Sequence, residues 1–239
     1  MSTHAHGHHK RGHTTDSVHH SKDDALDDRQ FELLLEGTHE MGDYRGLEAR
    51  FVVLVAGRLG LRSGEIVHCR EEWADWRRRM LVIPGEQRCE SGRSGGLCGS
   101  CRQSAKQMAD HNPGLSVEDA EGMMWQPKTS AAAREVPFDV DSRAELVIER
   151  YFDRFDEFQI SQTGVNRRVK RAAEHAEGLE PDEIYPHCLR ATAATRFASR
   201  GLDVIALQSM FGWANLSTAH NYIRRSGENT ARAIRDVQL

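Results

Sequence analysis

His187–Tyr222, HCLRATAATRFASRGLDVIALQSMFGWANLSTAHNY, is the stretch whose reading decides the fold. Its apolar residues recur at helical spacing and its breaks fall at turn residues. A helix is expected from His187 to Ser199, with Gly201 as its stop. Asp203 caps a second helix that runs through Phe211, and Ser217 caps a third that carries Tyr222. On the first of these, three-residue spacing puts His187 and Arg190 on one face. Taken singly, these residues say little. His187 reads as a satisfied structural histidine, Trp213 as a packed aromatic after a glycine, and Tyr222 as an amphipathic-helix residue beside Ile223.

Toward the N-terminus, a basic helix is expected over about Val165–Glu177, with Arg167, Arg168, Lys170 and Arg171. Ser142 and Glu145 form a capping box ahead of Leu146, Val147, Ile148 and Tyr151. Strand character is expected at Arg134–Phe138 and Met123–Trp125, separated by a polar turn, and again at Met80–Pro84. Residues 86–120 are rich in Gly, Ser and Cys and carry little regular pattern. Three helices come first, through Asp27–Leu35, through Gly46–Leu59, and after Ser63, read as an N-cap. The expected fold class is mainly α with a small antiparallel β-sheet.

Breaking a phosphodiester without a metal needs a nucleophile, cations for the non-bridging oxygens, a base and an acid. Arginine suits the cationic role because its planar fork donates two parallel hydrogen bonds to phosphate. Leu59-Gly60-Leu61-Arg62-Ser63-Gly64-Glu65 resembles the first-arginine motif of tyrosine recombinases, the phage-type integrases. His187-Cys188-Leu189-Arg190 resembles their H-x-x-R box, and Met210-Phe211-Gly212-Trp213 is similar to their L-G-H/W box. Tyr222 follows Trp213 at the spacing of the family's nucleophile, and Pro127-Lys128-Thr129 with Arg134-Glu135-Val136-Pro137 looks like its lysine hairpin. The elements are weak one by one; their joint order over about residues 30–230 carries the resemblance.

The resemblance implies the catalytic domain of a DNA breaking–rejoining enzyme, archaeal-like and with a Cys-rich insertion, occupying residues 26–239 behind an arm at 1–25. Tyr222 would attack phosphorus to give a 3′-phosphotyrosyl bond. Arg62, Arg190, His187 and Trp213 would hold the phosphoryl oxygens, Lys128 would protonate the leaving 5′ oxygen, and Glu65 would orient Arg62 or His187. Arg134 reads as structural or phosphate-positioning. No cofactor is implied for catalysis. The partner is double-stranded DNA, bound as a homo-oligomer. Many family members carry a DNA-clamping domain ahead of this one, so a partner supplying that clamp is a further expectation. The alternative is a DNA-binding regulator of the same fold that no longer recombines.

The net charge of −4 lends this reading no support, since DNA affinity rests on neutralising phosphates. A local basic face is therefore required, and Arg167, Arg168, Lys170, Arg171 and Arg224 are the candidates. Five cysteines in a chain without a signal-like start argue against a disulfide framework. Cys89, Cys98 and Cys101 with His111 have the ligand chemistry of a structural zinc site in an insertion at 86–115, with His68 or Cys69 as alternatives to His111. The seven histidines of residues 1–22 lie in a polar arm with no apolar periodicity, read as a disordered, solvated tail. No apolar run approaches the roughly 20 residues of a membrane span. A cytoplasmic protein with no membrane partner is expected.

Overall fold

The computed structural model of the chain describes residues 24–127 and 129–223, with 231, 234 and 235. The histidine-rich start, Lys128 and Arg224 lie outside the described residues. Ten α-helices and three strands are found among the described residues: α1 Asp28–Gly37, α2 Asp43–Gly57, α3 Ser63–Ile66, β1 Ala74–Asp75, β2 Met80–Ile83, α4 Gly99–His111, α5 Val117–Gly122, β3 Arg134–Pro137, α6 Ser142–Phe152, α7 Gln162–Glu174, α8 Pro186–Ser199, α9 Val204–Phe211 and α10 Leu216–Ile223.

Helix α2 is the centre of the core. Phe51 to Gly57 are all buried, so the helix is apolar around its whole circumference and must be enclosed by neighbours. Helices α6, α7 and α8 pack against it. Phe51 stacks on Phe158 at 5.0 Å and lies 4.8 Å from Tyr151, tying α2 to α6 and to the loop after it. The sheet runs in the order β1-β2-β3, antiparallel throughout, with Leu81 opposite Val136 and Ile83 opposite Arg134. That register buries Leu81, Ile83 and Val136 on one face, the period-2 outcome expected of a half-buried sheet.

Several local expectations shift. β3 pairs with β2, and the strand expected at Met123–Trp125 is not found: Met123 ends α5, and Met124 and Trp125 bond through their backbones to Cys89 and Gln87 without forming a strand. The 86–120 stretch holds two helices. Cys98 caps α4 and its buried face is Cys101 and Ala105, an apolar stripe too small and too thiol-rich to read as periodic. Caps expected at Ser63, Ser142 and Ser217 fall inside their helices. Asp141 caps α6, accepting from Arg143 and Ala144 amides; both Asp and Ser are good caps, and here the first in line takes the role. Arg62 holds the N-cap position of α3, with the Glu65 carboxylate accepting from its backbone N–H at 2.8 Å. No described helix is long and apolar enough to cross a membrane.

Candidate active site and metal centre

The C-terminal end of α9 organises the candidate site. A helix leaves its last carbonyls without intrahelical donors and carries partial negative charge there. Three arginines from three other elements fill that need. Arg134 donates from Nε to Met210 O at 2.7 Å, Arg190 donates from Nη2 to Phe211 O, and Arg62 donates from Nη2 to Gly212 O at 2.8 Å. Arg190 also donates from Nη1 to Gly60 O. Two glycines make the crossing tight enough. Gly212 ends α9 in the left-handed region (φ 56°, ψ 48°), and a Cβ there would sit 2.8 Å from the Ala132 Cα. A Cβ on Gly60 would meet the Phe211 ring at 2.3 Å.

Behind the arginines sits Glu65, only 1% exposed. It accepts from Arg62 Nη1 at 2.8 Å and from both Nη atoms of Arg134, at 2.8 and 3.0 Å. Burial alone would raise its pKa, but the Arg134 hydrogen bonds and the charges of Arg134, Arg190 and Arg62 outweigh that and hold the carboxyl below its ordinary value. Arg190 is pushed down to about 9, by burial first and by repulsion from Arg62 next. Counting Glu65 with Arg62, Arg134 and Arg190, the cluster keeps a formal charge of +2.

That charge borders a cavity of about 670 Å³, whose walls include Arg62, Arg190, His187, Gln126 and Pro127. His187 is exposed at the second residue of α8, where the same helical face carries Arg190 inward. Trp213 lies against Phe211, and the Arg190 guanidinium is 5.9 Å from its ring. Tyr222, half-buried on α10, stacks on Trp213 at 5.2 Å with ring planes 6° apart. Arg62, Glu65, His187, Arg190, Trp213 and Tyr222 are thus brought to one region, and Arg134 joins them. Arg134 is buried against Glu65, a role that no spacing in the sequence could reveal. An anion that offers oxygens to Arg62 and Arg190 would find its charge matched there before it arrived.

A scan of known families matches the model described as "Phage integrase family" over residues 24–228. The chain belongs to the phage integrase family. Among curated relatives of this family member, the tyrosine recombinase XerC of Corynebacterium efficiens is 31% identical over 123 residues, 52% of this chain and 39% of that protein. The XerC of Staphylococcus aureus strain USA300 is 23% identical over 214 residues, 88% of this chain and 61% of that one. The integrase-family chain therefore spans under two thirds of these relatives' lengths. Among solved structures, the Tn1549 transposon integrase in complex with circular intermediate DNA matches with a TM-score of 0.60 at 19% identity, covering 90% of this chain and 67% of that one. The XerA recombinase matches with a TM-score of 0.57 at 15% identity, covering 90% and 65%. The fold is that of tyrosine recombinase catalytic domains.

The cysteine-rich insertion of this integrase-family chain builds a second cluster. His68, Cys89, Cys98 and Cys101 hold their ligand atoms within 4.8 Å of one another, a group that could hold a metal ion. His68 Nε2 is 3.2 Å from Cys101 Sγ and 3.6 Å from Cys98 Sγ. Hydrogen bonds from the Cys101 and Cys98 thiols lower the Cys89 thiol toward the thiolate a metal needs. His111, the expected fourth ligand, is corrected to His68. From Cys101 to His111 the chain is one straight helix, so the two residues are separated by about 15 Å along its axis. His111 is exposed and faces Gln107 O at 2.6 Å through Nδ1. Cys69, the other alternative, is buried, and burial raises its thiol pKa.

The basic helix α7 divides its charges between the interior and the surface. Arg168 is committed inward, donating from Nε to the fully buried Glu48 at 2.6 Å. Lys170 pairs with Asp182, and Arg171 with Glu174 at 2.9 Å. Arg167 is exposed, and with Arg45 these four residues border a surface cavity of about 720 Å³.

Proposed function

We propose that this chain is the catalytic part of a site-specific DNA recombinase that cuts and rejoins double-stranded DNA through a 3′-phosphotyrosyl bond at Tyr222. The observation that carries the reading is the arginine cluster of net charge +2 on the wall of a cavity reached by His187. Such a site suits a phosphodiester, whose charge rises as phosphorus is attacked. In this reading Arg62 and Arg190 bind the two non-bridging oxygens, and His187 and Trp213 add hydrogen bonds. Glu65 holds Arg62 in register and leaves its remaining N–H groups for phosphate.

The Tyr222 phenol oxygen forms the new bond to phosphorus, and its proton passes to His187. The bond from phosphorus to the 5′ oxygen breaks, and Lys128 supplies the proton that oxygen takes. The free energy of the broken ester is kept in the phosphotyrosine, so rejoining reverses the same steps and needs no cofactor. Arg167, Lys170, Arg171 and Arg224 would contact phosphates outside the cut site, with Arg168 bracing the helix. The protein would act in the cytoplasm as an oligomer on DNA, with a partner supplying the clamp on the opposite face of the duplex. We further propose that His68, Cys89, Cys98 and Cys101 hold a structural zinc ion. Three thiolates and one imidazole are a soft, four-donor set.

A nicked duplex in which cleavage releases a short fragment traps the covalent product. Incubating the protein with a pool of such duplexes should give a denaturation-resistant protein–DNA adduct. DNA binding without any adduct, also with a clamping partner added, would replace this reading with that of a regulator.

A further inference from the structure

The cysteine cluster lies beside the candidate active site, and His68 is the residue that joins the two. Its Nδ1 lies 2.7 Å from Gly64 O, on the turn that begins at Arg62. A carbonyl only accepts, so Nδ1 carries the hydrogen and the Nε2 lone pair points at the thiols. The His68 ring stacks on Trp125 at 5.0 Å and 16°. Trp125 in turn stacks on Trp73 at 5.6 Å. The segment that holds Trp125 is itself tied to the cluster. Cys89 N–H donates to Met124 O at 2.9 Å, and Gln87 exchanges backbone hydrogen bonds with Trp125. The Gln87 side chain donates to His68 O at 3.2 Å and accepts from Trp73 Nε1 at 2.6 Å. Two residues after Trp125 the chain reaches Pro127, next to Lys128 in sequence and on the wall of the arginine cavity.

The two His68–thiol separations have the dimensions of a tetrahedral centre. Zinc–sulfur and zinc–nitrogen bonds of ordinary length put S and N about 3.5 Å apart, and the two distances here, 3.2 and 3.6 Å, bracket that. Cys98 and Cys101 stand at the start of α4, where the helix end favours thiolate. The backbone N–H of Cys98 donates to Cys89 Sγ at 3.4 Å, and that of Cys101 to Cys98 Sγ at 3.4 Å.

We propose that a zinc ion on His68, Cys89, Cys98 and Cys101 acts as a clasp that fixes the Arg62 turn to the segment ending at Pro127, so that the cleavage site is assembled only while zinc is bound. His68 is a positioning residue in this scheme, acting on Arg62 through Gly64 and on the 124–127 segment through Trp125. The statement about cleavage rests on the recombinase reading; the clasp does not.

The test uses the full chain. Cobalt replaces zinc, because the thiolate-to-cobalt charge-transfer band reports the cysteines and is silent to the histidines of the arm. Wild type and His68→Cys should both show the band, since each offers four ligands, and Cys101→Ser should lose most of it. Hydrogen exchange is then followed with and without zinc, at circular dichroism that stays helical. Zinc removal should speed exchange across 63–68 and 124–127 by at least about tenfold, and adduct formation should fall by about 10–100-fold, the usual cost of losing a ligand-orienting contact. Both should return on adding zinc. His68→Cys should keep its metal yet show the fast exchange and slow cleavage, because it lacks the Gly64 and Trp125 contacts. A wild type with no thiolate–cobalt band, or with Cys98 and Cys101 joined as a disulfide, overturns the site. Exchange unchanged by zinc overturns the clasp even if metal binds. Zinc-dependent exchange without any adduct leaves the clasp standing and removes the recombinase reading.

Discussion

Replacing Glu65 with glutamine tests whether the arginine cluster is built around one buried charge. The carboxylate accepts four hydrogen bonds, from the Arg62 backbone and Nη1 and from both Nη atoms of Arg134. Glutamine keeps one acceptor oxygen and turns an N–H₂ toward the guanidinium groups. The formal charge of the four-residue cluster rises from +2 to +3, with the Arg134 side chain only 4% exposed. Removing one partner of a buried ion pair costs about 3–5 kcal/mol. The retained oxygen puts Glu65→Gln near the lower figure, about 3 kcal/mol, out of the roughly 5–15 kcal/mol typical of a domain. Urea unfolding at neutral pH reads this as a lowered midpoint at constant slope. Acid adds a second check. The folded-state pKa of Glu65 lies below its ordinary value of 4.5, so its contribution is complete above that pH and fades as pH falls through the folded value. The gap between wild type and variant should therefore narrow below about pH 4.5. A loss under about 1 kcal/mol, or a gap that persists in acid, would refute the idea that the Glu65 charge holds the arginines.

Tyr222→Phe should keep the fold and most DNA affinity and give no adduct; mass spectrometry of a wild-type adduct should place the DNA on Tyr222 and not on Tyr44, Tyr151 or Tyr185. Lys128→Ala should slow cleavage by about 10²–10⁴-fold; a 5′-bridging sulfur, which needs no proton to leave, should restore most of the rate, and equal loss on both substrates removes the acid role. Gly212→Ala should cost more than about 2 kcal/mol by urea midpoint, since left-handed strain adds to a 2.8 Å approach to the Ala132 backbone. Gly178→Ala, with a φ of 86° but open space, should cost visibly less.

The parts legible in the sequence are those governed by neighbours in the chain. The α8–α9 run shows its periodicity, its Asp203 cap and its Gly201 stop within a few residues of one another, and those two helices lie where the marks put them, while α10 begins just ahead of Ser217. The mixing of near and far is where reading fails. His68 stands in the sequence only as an alternative to His111, because its meeting with Cys101 is a long-range contact that nothing near Cys101 in sequence marks. His111 is close in sequence but carried away by the helix between. Met123–Trp125 forms no strand: Met123 closes α5, and only Met124 and Trp125 bond across to Gln87 and Cys89, a pairing with chain far away in sequence. Helix α4 was hidden for a compositional reason, since a buried stripe of Cys101 and Ala105 weighs little in any hydropathy pattern. The commitment of Arg168 to Glu48 was equally hidden, because a basic helix reads the same whether its arginines face solvent or a buried carboxylate.

The Met210-Phe211-Gly212-Trp213 box gains a physical meaning that its spelling does not carry. Three successive carbonyls take three arginines, and the residue after them stacks between Phe211 and Tyr222. The end of one helix therefore sets both the cationic cluster and the position of Tyr222, the proposed nucleophile. Glycine is required between them for two separate reasons: the chain must turn left-handed to send Trp213 back over Phe211, and the Ala131–Ala132 backbone approaches too closely for a Cβ. A larger residue at position 212 would displace the Arg62 acceptor and the Trp213–Tyr222 stack together. Stability and cleavage should for that reason fail in step at Gly212, whereas at Tyr222 cleavage should fail alone.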